Sequence, residues 1–226
     1  LTIKPEISAP GGLIVSSVLG SNDAYEAMSG TSMATPHMAG EAAVLRQYLK
    51  ETYSTMSNSD LGELCLLYTS DAADELMSTA VPSLDNGSGT YFSVRRQGAG
   101  VANVYNAILS GAYLSVEGSN RPKAEVGSSK DGSFTYTATV HNLTGEAKTY
   151  SVDTAALVET ITEIDGINYM ANSEKQLSSS EVNVSYTGLT GGKITVAANG
   201  TATFTVKVQL TASGKKYLND NFTNGS

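Results

Sequence analysis

The apolar residues between Met33 and about Lys50 fall at Ala34, Met38, Ala42, Leu45 and Leu49, the spacing of one face of a helix. Ala39, Gly40 and Ala43 keep the neighbouring faces small, which predicts a helix buried against a sheet, with Glu41, Arg46, Gln47 and Lys50 turned outward or paired. Ahead of it, Lys4 to Gly12 is punctuated by proline and glycine and reads as a loop, leading into an apolar strand-like run from Leu13 to Val18. A second helical pattern begins at Asp60. Beyond Gly111 the period changes from helical to two. Phe134 to Val140 alternates, as does Thr201 to Leu210, and Asn199-Gly200 predicts a hairpin joining the latter to Lys193–Ala197. Several short strands at this spacing predict a β-sandwich over 111–226 behind a mixed α/β unit over 1–110.

Composition narrows the function without naming it. The 226 residues are 40% hydrophobic and 16% charged, enough for one large domain or two smaller ones. A net charge of -8 and a pI near 4.7 argue against nucleic acid or an anionic membrane as partner. No run of eighteen apolar residues occurs, so no membrane-spanning helix is expected. Cys65 is the single cysteine, which excludes an internal disulfide. Leu1 in place of an initiator methionine, and an end at Asn224-Gly225-Ser226 with no anchor, lead to the expectation that the chain is a fragment.

Chemistry is concentrated in Gly30-Thr31-Ser32-Met33-Ala34-Thr35-Pro36-His37, followed by Ala39-Gly40. A lone serine before a helical run reads as a cap. Here Ser32 falls where a helix begins, among unpaired N–H groups and at the positive end of the helix dipole, which favours developing negative charge. Pro36 is tolerated only because it stands close to that start. The run resembles the nucleophile motif of subtilisin-like serine proteases at every fixed position, and the resemblance implies that Ser32 is the nucleophile. Thr31 and the Ser32 amide then neighbour the oxyanion, Gly30 lines the substrate pocket, and Met33 places an oxidisable sulfur beside the nucleophile.

Other segments resemble the same family. They are Lys4-Pro5-Glu6 with Ala9-Pro10-Gly11, where Glu6 replaces the usual aspartate, and Gln97-Gly98-Ala99-Gly100-Val101-Ala102-Asn103, which resembles the family's glycine turn before a closing helix. The region after Gly111 resembles the fibronectin-III-like domain of the cell-envelope branch, the lactocepin and C5a-peptidase type. The expected fold class is therefore the C-terminal part of a subtilisin-like three-layer α/β domain over 1–110 and an all-β fibronectin-III-like sandwich over 111–226, both incomplete, with an exposed sheet edge where closing strands are missing. Cys65 to Glu75 reads as the translation of a string that resembles a transposase sequencing adapter, and these residues are expected to be an assembly artefact.

The resemblance also implies a serine endopeptidase acting on proteins or peptides through an acyl-enzyme on Ser32, without cofactor or metal, in a bacterial secreted or cell-envelope protein. Its base and orienting carboxylate belong upstream in the order Asp, His, Ser, as does its oxyanion asparagine. The two histidines here are unsuited. His37 lies five residues beyond Ser32, about 7.5 Å along the helix and about 140° around it, and is expected to be a buried, hydrogen-bonded helix residue. His141 is expected at the surface of the sandwich. The isolated chain should then be inactive. The alternative is a surface binding or adhesion protein that carries a decayed protease domain. Asn142, Asn183, Asn199 and Asn221 head glycosylation triplets, usable only in a secretory host.

Overall fold

The computed structural model describes residues 4–53, 74–85, 87–119 and 121–222. Residues 54–73, which hold Cys65 and most of the adapter-like stretch, lie outside the described residues.

The first half is a small β-ribbon leading into helices. β1 (Ile14–Ser17) pairs antiparallel with β2 (Tyr25–Met28) in the register Ile14↔Met28 to Ser17↔Tyr25. α1 (Thr31–Thr52) follows two residues later and runs 22 residues, with Pro36 inside its second turn. It buries Ala42, Leu45 and Leu49, the stripe that its spacing predicts. The partner of that stripe differs from expectation. Among the described residues it packs on Leu76 of α2 (Asp74–Thr79) and Ala107 of α4 (Val104–Ser110), helix on helix, while Ala39, Gly40, Ala43 and Val44 are exposed. Leu45 is fully buried, so its truncation to alanine removes about 2–5 kcal/mol of stability.

Between α2 and α4, the short helix α3 (Val94–Gln97) ends at Gly98, and the chain then runs straight for four residues. The Ala99 amide donates to Glu6 O at 2.9 Å, Ser8 N to Gly100 O at 2.9 Å and Ala102 N to Ser8 O at 2.8 Å. Val81 and Val101 exchange two further bonds on the other side. Gly98 (φ 63) and Gly100 (φ 123) are required by this sandwiching. A Cβ on Gly98 would come within 2.3 Å of the Glu6 carbonyl, and one on Gly100 within 2.5 Å of Val81.

From Ala112 the structure is β. β3 (Ala112–Val116), β4 (Ser133–Asn142), β10 (Thr201–Leu210) and β8 (Val182–Thr187) form one antiparallel sheet in that order. β5 (Lys148–Ser151) pairs with β9 (Lys193–Val196), and the two layers share a core of Val140, Ile194, Val196, Phe204 and Val206. Asn199 does turn the chain, at φ 50, but the predicted hairpin is not formed. β9 pairs with β5 and β10 with β4 and β8, so the turn carries the chain from one layer to the other. Both strands bury Val196 and Phe204 toward the shared interior, and layer packing wins over direct pairing. Asn142 is buried at this corner, its amide donating to Glu146 O and Ala197 O, which makes it a structural bracket and no glycosylation acceptor in the folded chain.

A long hairpin, β6 (Leu157–Ile164) and β7 (Ile167–Gln176), forms its own two-stranded sheet, and α5 (Ala212–Phe222) follows β10. No described helix is long and apolar enough to cross a membrane.

Candidate active site

Gly30 sits at φ 155, ψ 171, a conformation that L side chains rarely adopt, and makes no side-chain cap. Its carbonyl accepts from Met33 N at 3.1 Å and Ala34 N at 3.3 Å, which starts the helix one residue before Ser32. The amides of Thr31 and Ser32 have no hydrogen-bond partner among the described residues, as the first amides of a helix should not. Thr35 Oγ1 donates to Thr31 O at 2.9 Å and so tightens the first turn.

The lead segment holds this start in place. Gly30 N donates to Gly11 O at 2.7 Å, and Leu13 N donates to Ser29 Oγ at 2.8 Å. A Cβ on Gly11 would lie 2.7 Å from Gly30 O and 3.1 Å from Ala34 Cβ, so the Pro10-Gly11 turn passes against the helix only because it lacks a side chain.

Ser32 is exposed and lines a cleft of about 480 Å³ with Met33, Pro36 and His37 on one side and the β1–β2 ribbon on the other. The ribbon contributes Val15, Ser17, Glu26 and Met28. This wall was missed in the sequence, because β1 shows as an apolar run while its partner Tyr25-Glu26-Ala27-Met28 has no periodic signal of its own.

His37 and Ser32 share the cleft, but His37 Nδ1 is committed to Met33 O at 2.9 Å. It is hydrogen-bonded as expected, and half-buried where full burial was expected. His141 differs more. Its ring stacks on Tyr113 at 4.4 Å between centroids, its Nε2 lies 2.7 Å from Ser115 Oγ, and burial pushes its pKa down. It belongs to the β3–β4 seam and not to the surface. No group of three or more metal-ligating side chains occurs among the described residues.

One ionisable group on α1 departs from the expectation that it turns outward or pairs. Glu41, one turn beyond His37, is half-buried with Oε2 unpartnered, and burial pushes its carboxyl above the usual range, partly offset by His37. The signal was available: a glutamate interrupts a run of small apolar residues.

A glycine-started helix thus presents a serine and free amides to a cleft. Residues 1–100 match the sequence model of the Subtilase family, Peptidase S8. The chain is 32% identical over 216 residues, 96% of its length, to the C5a peptidase of Streptococcus pyogenes serotype M6, of which that region is 16%. It is 34% identical over 158 residues, 68% of its length, to a PII-type proteinase of Lacticaseibacillus paracasei, covering 8% of that protein, and similarly to one of Lactococcus lactis subsp. cremoris. The chain spans about a sixth of the length of the first of these relatives.

Proposed function

We propose that this chain is the nucleophile-bearing part of a serine endopeptidase that hydrolyses peptide bonds of protein substrates. The observation that carries the reading is Ser32 in the first turn of α1, exposed to a cleft with the Thr31 and Ser32 amides unpaired. Ser32 Oγ attacks the scissile carbonyl, and an imidazole from outside these 226 residues takes its proton. The two amides face the oxyanion, Gly30 lines the substrate pocket, and Met33 packs beside the nucleophile. Neither His37 nor His141 can serve as that base, the first bonded to Met33 O and the second stacked on Tyr113 in the β region. The isolated chain is therefore inactive, and the parent protein active.

The domains divide at about residue 110. The two-layer β region from Ala112, with its own core, supports a fibronectin-III-like module. The relatives support a bacterial cell-envelope protein. Residues 65–75 are adapter-derived, and re-reading the genomic DNA across them with an adapter-free amplicon should return a different sequence.

The test of the active site is a fluorogenic peptide assay on this chain and on the parent, each with Ser32→Ala. The chain should show no turnover that depends on Ser32, and the parent should lose its turnover on substitution. Turnover by the parent that survives Ser32→Ala refutes the assignment, and a parent with no turnover at all favours a binding protein with a decayed protease domain.

A further inference from the structure

The β1–β2 ribbon forms one wall of the Ser32 cleft, and its register fixes which side chains face the nucleophile. Ile14 pairs with Met28 and Ser16 with Glu26, so these four share one face of the ribbon, while the pairs Val15–Ala27 and Ser17–Tyr25 share the other. Glu26 and Met28 line the cleft and Ala27 and Tyr25 do not, which turns the first face toward Ser32. Ile14 and Val18 on that face are half-buried. The ribbon has little freedom to swing away. Leu13 N and Gly30 N tie its base to Ser29 Oγ and Gly11 O, and Val18 N closes its far end on Ala24 O at 3.0 Å.

Two rungs follow one another along this wall. The rung nearer the helix start, Ile14 and Met28, shares the cleft with Met33 and Pro36 of α1, and together they make an apolar floor. The next rung, Ser16 and Glu26, stands two residues up the strands, about 7 Å further on. Glu26 is exposed, and its carboxylate has no hydrogen bond or ion pair among the described residues. Of the described lining residues only Glu26 and His37 ionise, and His37 commits Nδ1 to Met33 O. No described lysine or arginine lines the cleft. The neighbouring acid along the chain, Asp23, is held in the turn by Ser21 Oγ at 2.6 Å. The apolar floor therefore ends at one uncompensated carboxylate.

We infer that Glu26 selects substrates that carry a lysine or arginine side chain next to the scissile bond. Such a side chain lays its apolar stem over Ile14, Met28 and Met33 and brings its charged head to the Glu26 carboxylate. Lysine's four-carbon stem has about the reach of the step from the Met28 rung to the Glu26 rung. Norleucine, which keeps the stem and lacks the ammonium group, covers the same apolar floor and leaves the carboxylate unpaired. A glutamate side chain meets a like charge at the end of the floor. Glu26 can play this part only if Ser32 is the nucleophile, so the assignment rests on that reading.

The test uses the parent protein and internally quenched peptides of one sequence, with lysine, norleucine or glutamate placed in turn on either side of the scissile bond. At one of these positions kcat/KM should be at least about fivefold higher for lysine than for norleucine, and lowest for glutamate. The advantage of lysine should shrink as salt is raised. Glu26→Gln should bring the ratio of lysine to norleucine within about twofold, and Glu26→Lys should place glutamate above lysine. Glu26 is exposed, so neither change removes a packed group; if Glu26→Lys does not fold, the ratio in Glu26→Gln decides. Parent turnover that survives Ser32→Ala, or a parent without turnover, refutes the nucleophile and the Glu26 assignment with it. Turnover that depends on Ser32 but shows no preference for lysine over norleucine, or keeps that preference in Glu26→Gln, overturns the Glu26 assignment alone.

Discussion

Replacing Glu174 should loosen the hairpin β6–β7 from the peptidase-like half of the chain. Its side chain is 1% exposed and its Oε1 accepts from Ser93 N at 3.1 Å and from Arg96 at 3.3 Å. Ser93 precedes α3 and does not cap it with its own hydroxyl, which donates to Glu159 at 2.6 Å instead. Two carboxylates from one hairpin therefore hold one residue. Glu174→Ala leaves the buried Ser93 amide without an acceptor, which costs about 1–3 kcal/mol. Loss of the Arg96 pair adds at most about 1 kcal/mol, because Arg96 is 38% exposed and water replaces much of the attraction. The sum is about 1–4 kcal/mol. Glu159→Ala should cost about 1 kcal/mol, since the Ser93 hydroxyl can rotate to another acceptor and Arg95 is 61% exposed. Urea unfolding of both variants, with an Arg96→Ala cycle to isolate the pair, measures this order. Equal losses for the two glutamates, or a loss below about 0.5 kcal/mol for Glu174, would refute the account of the contact as a buried bracket.

Three further outcomes follow from single groups. Glu41→Ala should raise the urea midpoint near neutrality, because a carboxyl whose pKa is raised by burial destabilises the fold as pH climbs above its ordinary 4.5; the gain should fade below that value, and a variant weaker at neutrality contradicts the reading. His141 has a pKa lowered by burial, so its contribution is complete above 6.5 and is lost as pH falls below it; His141→Phe, which keeps the stack on Tyr113, should flatten that part of the stability–pH curve. Gly98→Ala should cost about 2–5 kcal/mol by urea unfolding, about 1–2 from the left-handed backbone and the rest from the clash with Glu6, and a cost under about 1 would mean the strand can shift.

The segment proposed to carry the nucleophile was legible because its geometry is local. Gly30 to Gly40 needs a strained glycine, a serine and a helix start within a few residues, so the string of residue types is nearly the geometry itself. The stripe Ala42, Leu45 and Leu49 was legible for the same reason, since one helix imposes one period. The strand Thr201–Leu210 alternates because one of its faces is buried, and that too is visible without partners.

What those segments touch could not be read in this way. Asn199-Gly200 looks the same whether its strands pair or part, and the choice was made by Val196 and Phe204 entering a core between two layers. The stripe of α1 met Leu76 and Ala107, 31 or more residues away from Leu45 along the chain, and a period carries no partner. Glu174 reaches Ser93 across 81 residues, and His141 meets Ser115 across 26. Local sequence determined which elements form and where a serine could become reactive. Tertiary packing decided which elements adjoin, because burial is non-directional and its energy depends on which surfaces meet, something that no single segment encodes.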